Sequence, residues 1–178
     1  MILVGCFGNL LKGTALEVER FFHVYIFLIF ISRQVSLSKR RFMSLTAFIT
    51  GATSGIGKAT AALFAKHQIR LVLCGRNKDR LEALQNELSP LTAVTILQFD
   101  VGKRAEVFEA ITTLPVSFSQ IDILINNAGN AHGLSTIQDG NIDDWDAMLD
   151  SNVKGLLYVS KAIMPKMIER NTGFIVNI

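Results

Sequence analysis

The chain has 178 residues, which is enough for one domain with a sizeable core. Apolar residues make up 49% of it and charged residues 19%, a balance that excludes an intrinsically disordered protein. The net charge is +3, but residues 1–42 hold six basic and two acidic residues, so the remainder carries −1. A nearly neutral body gives no electrostatic case for nucleic-acid binding.

The cysteines and histidines give no sign of a metal site. Cys6 and Cys74 are far apart in the sequence, and we expect two reduced thiols in a cytoplasmic protein, because disulfides persist mainly in oxidising compartments. The three histidines do not cluster with cysteines or carboxylates. The sequence therefore predicts no bound metal.

Residues 1–42 hold six of the twelve phenylalanines and differ in composition from the rest. The apolar run at residues 21–31 rises about 1.5 Å per residue as a helix, so it would cross roughly half of a membrane. Two interpretations stay open for this N-terminal extension: a misplaced start, with the domain beginning at Met43, or a segment that associates weakly with membranes through this run and the basic residues 39–41. We favour the first, and divide the chain into an extension, 1–42, and an incomplete domain, 43–178.

A glycine-rich turn follows the first predicted strand, residues 45–49. It contains Gly51, Gly55 and Gly57 in the pattern G-x-x-x-G-x-G, and a helical pattern over residues 58–67 comes next. Backbone N–H groups at the N-terminus of a helix favour an anion such as a pyrophosphate. Glycines also make ordinary turns, so the pattern alone leaves both interpretations open.

The second predicted strand, residues 69–74, leads to Gly75-Arg76, and Gly75 follows Gly51 by 24 positions. At about this distance a carboxylate binds the adenosine ribose in NAD-binding folds, whereas an arginine accommodates the 2′-phosphate of NADP. No acidic residue ends this strand, so Arg76 predicts NADP(H) as the cofactor. The alternative is that Arg76 is one more solvated loop charge.

A helix with an apolar face is predicted over Lys78–Leu88, and a third strand over residues 94–99. Asp100 follows that strand, where its carboxylate lies beside the ligand crevice and can accept a hydrogen bond from an adenine amino group. Asp100 is also placed to cap a helix that starts near Lys103. The two roles are compatible.

The fourth predicted strand, residues 121–125, runs into Asn126-Asn127-Ala128-Gly129. These residue types suit a sharp turn, and at the end of a central strand they can also hydrogen-bond ribose. A long helix is predicted over residues 143–170, with Asn152 and Gly155 interrupting its apolar face. A fifth strand over residues 173–178 follows; in a truncated protein we expect it to lie at the sheet edge.

The alternation of strands and helices predicts an α/β fold with a Rossmann-type, doubly wound parallel sheet in three layers. The motifs, in this order, resemble the short-chain dehydrogenase/reductase family over residues 43–178. Within the family, the chain looks most like NADP-dependent 3-hydroxy acid dehydrogenases that also oxidise serine. The resemblance rests on Thr50 to Gly57, Asp100-Val101, Asn126 to Gly129, and Asn152 with Gly155.

The resemblance implies NADP(H) binding in domain 43–178 and a role for Asn152, which in the family deforms its helix and holds a water in the proton relay. The alternative is that Asn152 interrupts the helix and makes only local bonds. The predicted cofactor-binding residues are Gly51, Thr53, Ser54, Gly55, Ile56, Gly57, Arg76, Asp100, Val101, Asn127, Ala128 and Gly129.

The family also uses a Ser and a Tyr-x-x-x-Lys that follow the fifth strand, beyond the residues of this chain. Tyr158-Val159-Ser160-Lys161 has the wrong spacing, so we interpret Tyr158 as a helix residue. The sequence thus predicts the cofactor-binding portion of an oxidoreductase that moves hydride between NADP(H) and a small hydroxy acid or carbonyl compound, without catalytic competence of its own. The alternative is a truncated, non-catalytic nucleotide-binding or interaction protein. The resemblance further implies homo-oligomers of the full-length form.

Overall fold

Parallel strands and helices alternate along the chain. The computed structural model describes residues 4–6, 45–131 and 135–178. In these residues six strands form one parallel sheet: β1 (Val4–Cys6), β2 (Thr46–Thr50), β3 (Arg70–Gly75), β4 (Val94–Gln98), β5 (Ile123–Asn126) and β6 (Phe174–Asn177). Their order across the sheet is β1-β6-β5-β2-β3-β4. The helices are α1 (Gly55–Lys66), α2 (Lys78–Leu88), α3 (Arg104–Thr112), α4 (Ile142–Leu149) and α5 (Leu156–Glu169), with a π-helical segment, Asp150–Gly155, between α4 and α5.

The central strands are buried on both faces, as a parallel sheet between two helical layers requires. Successive side chains of a strand point to opposite faces. Ile49 and Leu73 therefore pack with α1 and α2 on one face, whereas Phe48 and Val72 pack with α3 and α5 on the other. All four side chains are fully buried. The predicted three-layer, doubly wound fold is confirmed.

The expected position of the last strand is wrong. β6 does not lie at the sheet edge, because β1 pairs with it in parallel and places Gly5 opposite Val176. β1 belongs to the N-terminal extension. The apolar run at 21–31, the basic residues 39–41 and the possible start of the domain at Met43 lie outside the described residues. Among the residues that are described, no helix has the length and apolar character needed to cross a membrane.

The predicted helix over residues 143–170 is divided into three parts. The π-helical segment contains both residues that were predicted to interrupt the apolar face, Asn152 and Gly155. Such π-helical turns widen a helix locally and occur frequently at functional sites. Tyr158 lies in α5, as expected.

An ion pair joins the end of α5 to the amino ends of two central strands. Arg170 Nη1 lies 3.4 Å from Asp122 Oδ1, and Arg170 Nη2 donates to the carbonyl of Ile121 at 2.5 Å. The other carboxylate oxygen of Asp122 accepts from the backbone N–H of Thr46 at 2.9 Å. Asp122 and Arg170 expose only 19% and 22% of their side chains, so these contacts are screened less than a surface pair.

Replacing Asp122 by Ala is therefore expected to destabilise the fold by about 2 kcal/mol, because it leaves a backbone donor and a guanidinium without their shared acceptor. The midpoint of urea unfolding measures the loss. Glu109→Ala is the matched control, since Glu109 is an exposed carboxylate in α3. Equal midpoints for the two variants would contradict this assignment.

Candidate functional site

A cavity of about 500 Å³ opens at the carboxyl edge of the sheet, between the ends of β2, β3, β4 and β5. Eleven of the twelve predicted cofactor-binding residues line it; Gly57 does not, and neither does Asn152. Those eleven are Gly51, Thr53, Ser54, Gly55, Ile56, Arg76, Asp100, Val101, Asn127, Ala128 and Gly129. In an open parallel sheet this edge is where ligands bind.

The turn between β2 and α1 forms the middle of the cavity wall. Gly51 and Gly55 have φ values of +62° and +51°, which favour glycine. Ser54 precedes the first turn of α1, but its side chain makes no capping hydrogen bond to that turn. A Cβ on Gly55 would meet nothing within 4 Å. The helix N-terminus therefore presents backbone donors to an open space, which suits an anion.

Gly57 does not line the cavity but packs against the turn that forms its wall. A Cβ at this position would collide with the carbonyl oxygen of Gly51 and would lie 2.5 Å from Asn127 Nδ2. Such a distance is far below van der Waals contact, so any larger residue must push the turn and α1 apart. Gly57 thus permits the close packing of the helix on the turn.

A hydrogen-bond network around Thr50 and Asn127 locks the turn to the end of β5. The Asn127 side-chain amide donates to the carbonyls of Thr50 and Gly51, both at 3.1 Å. The hydroxyl of Thr50 accepts from the backbone N–H groups of Asn127 at 3.0 Å and Ala128 at 2.9 Å. It donates in turn to the carbonyl of Ile125 at 3.3 Å. Asn127 therefore holds the cavity wall with its amide group, whatever else it contacts.

The β3 side of the cavity carries two arginines. Arg76 follows β3, and its carbonyl accepts from Gln98 Nε2 at 3.1 Å, which ties this loop to β4. Arg80 also lines the cavity, although it lies outside the apolar face of α2, which is formed by Leu81, Leu84 and Leu88. A pattern of buried positions does not report which polar side chains border a crevice, and for that reason sequence reasoning missed it.

Asp100 and Glu106 shape the loop after β4. Asp100 Oδ1 accepts from the N–H of Gly102 at 2.9 Å, while the N–H of Asp100 donates to Glu106 Oε2 at 3.0 Å. That backbone hydrogen bond, with a further contribution from Lys103, lowers the pKa of Glu106. Helix α3 is preceded by Lys103, so Asp100 is not its N-cap. The carboxylate of Asp100 closes the turn at the rim of the cavity instead.

Asn152 reaches across to the loop after β5. Its Oδ1 accepts from the backbone N–H of Asn130 at 2.9 Å, and its Nδ2 donates to the carbonyl of Asn130 at 2.8 Å. These partners lie 22 positions away in the sequence, so the alternative that Asn152 makes only local bonds is wrong. Asn130 and Ser151 also line the cavity, although neither was predicted from the sequence. Asn130 directly follows the predicted motif Asn126-Asn127-Ala128-Gly129.

The loop after β4 packs directly on the π-helical segment. A Cβ on Gly155 would lie 2.8 Å from Val101 Cγ2 and 3.1 Å from the carbonyl carbon of Val101. On Gly102 it would lie 3.4 Å from Asp150. Asp150 accepts from Lys154 Nζ at 2.6 Å, which raises the pKa of that lysine. The π-helical segment is thus held between the loops that follow β4 and β5.

Residues 45–131 and 135–178 contain neither a metal-binding cluster nor a tyrosine that lines the cavity. No group of three or more His, Cys, Asp or Glu residues is arranged to hold a metal ion there. Tyr158, the one tyrosine of that part, packs against a core cluster and does not line the cavity.

Cys74 is a buried free thiol in β3, and burial raises its pKa.

Comparisons with known proteins agree on one family. The profile of the short chain dehydrogenases matches residues 45–178. An NADP-dependent 3-hydroxy acid dehydrogenase of Salmonella typhi is 40% identical over 134 residues, which is 75% of this chain and 53% of that protein. An uncharacterized oxidoreductase of Staphylococcus aureus is 43% identical over 132 residues, or 74% of this chain and 56% of that protein. The chain spans about half the length of the curated relatives it matches.

Solved structures give the same result. Serine dehydrogenase from Escherichia coli superposes with a TM-score of 0.69 at 37% identity, covering 75% of this chain and 61% of that one. The closed form of serine dehydrogenase complexed with NADP⁺ gives a TM-score of 0.70 at 38% identity and covers 75% and 53% of the two chains.

The packing of Val101 on Gly155 generates a prediction. Gly155→Ala is expected to destabilise the fold by about 1–3 kcal/mol, because the new Cβ forces the loop after β4 away from the π-helical segment. A double-mutant cycle with Val101→Ala, followed by urea unfolding, measures the coupling. Removing the two methyl groups of Val101 should recover part of the loss. If the two substitutions changed the free energy of unfolding by strictly additive amounts, the new Cβ at position 155 and Val101 would not be in steric conflict.

Proposed function

The chain belongs to the short-chain dehydrogenase family, and we propose that it binds NADP(H) as the cofactor-binding portion of an oxidoreductase. The proposed reaction moves hydride between NADP(H) and a small hydroxy acid or carbonyl compound. The observation that carries the proposal is the helix N-terminus of α1, which opens without a side-chain cap onto a cavity that Arg76 borders.

The cavity matches the chemistry of a dinucleotide. Backbone donors between Gly51 and Ile56 suit the pyrophosphate, since a phosphate group fits a helix N-terminus. On the β3 side, Arg76 offers a planar fork of donors to a 2′-phosphate. The described residues place no acidic group at the end of β3 to bind the ribose hydroxyl instead. These features support NADP(H) over NAD(H).

The remaining predicted residues are assigned by their positions. We place the adenine beside Asp100 and Val101, on the β4 side, and a ribose beside Asn127, Ala128 and Gly129. When bound, the nicotinamide supplies the hydride chemistry. Because β5 lies on the opposite side of β2 from β3, we place the nicotinamide half toward Asn130.

Asn152 is proposed as a positioning residue on that side. Its two hydrogen bonds hold the backbone of Asn130 at 2.9 Å and 2.8 Å, and Asn130 lines the cavity. In the complete enzyme we assign Asn152 to the proton relay. The described residues offer no tyrosine at the cavity, so residues 1–178 alone are proposed to bind the cofactor without catalysing the reaction.

A polypeptide of residues 1–178 is therefore expected to bind NADPH more tightly than NADH, by about tenfold, which corresponds to one charge-assisted hydrogen bond. Nucleotide fluorescence titrations give both dissociation constants. Arg76→Gln should bring the two constants together. Incubation of the same polypeptide with NADP⁺ and L-serine should produce no NADPH above background.

Either of two results would contradict the proposal. Equal affinities for NADPH and NADH in the unaltered polypeptide would remove the NADP preference. Steady NADPH production from L-serine would show that the residues given are catalytically competent after all.

An apolar stripe on the π-helical segment and its flanking helices supports assembly of the full-length form. Leu149, Val153, Leu157 and Ile168 each expose between 50% and 58% of their surface. Residues three or four apart lie on one side of a helix, so the first three form a continuous row. An exposed apolar row of this kind is typical of an interaction surface, and we propose that two copies of the full-length protein pair through it.

Leu157→Glu is expected to convert such a dimer to monomers, because two carboxylates would be buried in the interface without partners. Light scattering of the full-length protein after size exclusion measures the mass. Lys166→Glu is a control that adds an acidic residue at an exposed position of the same helix, nine residues after Leu157 and therefore on another side of the helix. An unchanged oligomer for Leu157→Glu would refute this surface.

A further inference from the structure

A second cavity, of about 320 Å³, lies between α3 and α5 at the amino edge of the sheet. Ile121, which comes just before β5, forms part of its wall. Because the strands are parallel, their amino ends lie along the edge opposite the one at which the first cavity opens. The two cavities have no lining residue in common. The second cavity is therefore separate from the proposed cofactor site.

The inner wall of the second cavity is apolar and continuous with the core. Ile121 and Ile163 belong to the core cluster that underlies α3 and α5, and each exposes 4% of its surface. Ile111 of α3 packs against the same cluster and also lines the cavity. Phe108, three residues earlier in α3, is a further lining residue and exposes 39% of its surface. This half-open aromatic side chain offers apolar surface that a bound aliphatic chain would remove from water.

Two lysines of α5, Lys161 and Lys166, line the same cavity. Both are exposed, and in the part of the chain that the structure describes no carboxylate pairs with either of them. Glu109 and Glu169 are exposed on the flanking helices, but neither lines the cavity. Lysine stems lie along apolar surface while their ammonium groups stay in water. The apolar cavity therefore has two positive charges at its mouth.

We propose that the second cavity binds an amphiphilic carboxylate, a molecule with one aliphatic chain and one carboxylate group. The chain lies on Phe108, Ile121 and Ile163, and the carboxylate pairs with the two lysines at the mouth. A volume near the lower end of the about 300–1,000 Å³ of small-molecule sites suits a single chain of medium length. A purely apolar molecule would leave the ammonium groups unpaired, and a small inorganic anion would leave the apolar wall uncovered.

The experiment titrates octanoate, below the concentration at which it forms micelles, into the polypeptide of residues 1–178 and follows the heat of binding. Octanol has the same chain length without the carboxylate, and hexanoate has the carboxylate on a chain that is two CH₂ groups shorter. The variants are Lys161→Gln, Lys166→Gln and Phe108→Ala. All three positions are exposed, so the variants are expected to fold, and their melting curves verify this.

Each variant has a matched control. Lys66→Gln removes an exposed lysine at the end of α1, in the opposite helical layer. Leu157→Ala removes an apolar side chain that exposes 57% of its surface but does not line the second cavity. A titration in the presence of saturating NADPH tests whether octanoate enters the first cavity instead.

Octanoate is expected to bind, and each lysine variant should raise its dissociation constant by about threefold, as for the loss of an exposed ion pair. Octanol should bind more weakly and should not respond to the lysine variants. Hexanoate should bind about tenfold more weakly than octanoate, since each buried CH₂ group contributes about threefold to fourfold. Phe108→Ala should weaken octanoate and octanol alike, whereas Lys66→Gln, Leu157→Ala and NADPH should leave the octanoate constant unchanged.

Four results would overturn the proposal. They are an absence of octanoate binding, equal affinities for octanoate and octanol, a loss in Leu157→Ala as large as in Phe108→Ala, and competition between octanoate and NADPH. The third would place the ligand on the exposed apolar row, and the fourth would place it in the first cavity.

Discussion

The candidate site depends on the hydrogen bonds that join the end of β2 to the end of β5. Asn127 makes three of them: its backbone N–H donates to the hydroxyl of Thr50 at 3.0 Å, and its side-chain amide donates to the carbonyls of Thr50 and Gly51 at 3.1 Å. They satisfy carbonyls and N–H groups that would otherwise be unpaired where two buried strands end. Because the turn after Thr50 is fixed in this way, α1 starts with its N-terminus directed at the cavity. The turn that we propose as the cradle for an anion is therefore held in place by hydrogen bonds within the protein itself.

Close packing at two glycines positions the rest of the cavity around these hydrogen bonds. Gly57 lets α1 lie directly on the turn, and Gly155 lets Val101 rest on the π-helical segment. Asn152 extends from the same segment to the backbone of Asn130. The loops after β4 and β5 are thus connected to one element of the helical layer.

Much of this arrangement follows from local sequence patterns, and the remainder depends on contacts between distant residues. The apolar runs at 45–49 and 121–125 predict strands that the structure places at 46–50 and 123–126, and the amphipathic pattern over 78–88 gives the bounds of α2. Position relative to a strand end also brings Arg76 and Asp100 to the cavity. Arg80 was missed, since helical periodicity separates buried from exposed positions but does not say which exposed ones face a crevice. The pairing of β1 with β6 and the reach of Asn152 to Asn130 connect residues that no local pattern relates.

The most direct test of this account is a crystal structure of the protein with NADP⁺. The account predicts the pyrophosphate at the N-terminus of α1, over the turn that contains Gly51 and Gly55, and the 2′-phosphate beside Arg76. The nicotinamide should extend past β5 toward Asn130. A nucleotide bound away from this turn, or one that binds in the opposite direction along the cavity, would contradict the central claim that the glycine turn is the cofactor cradle.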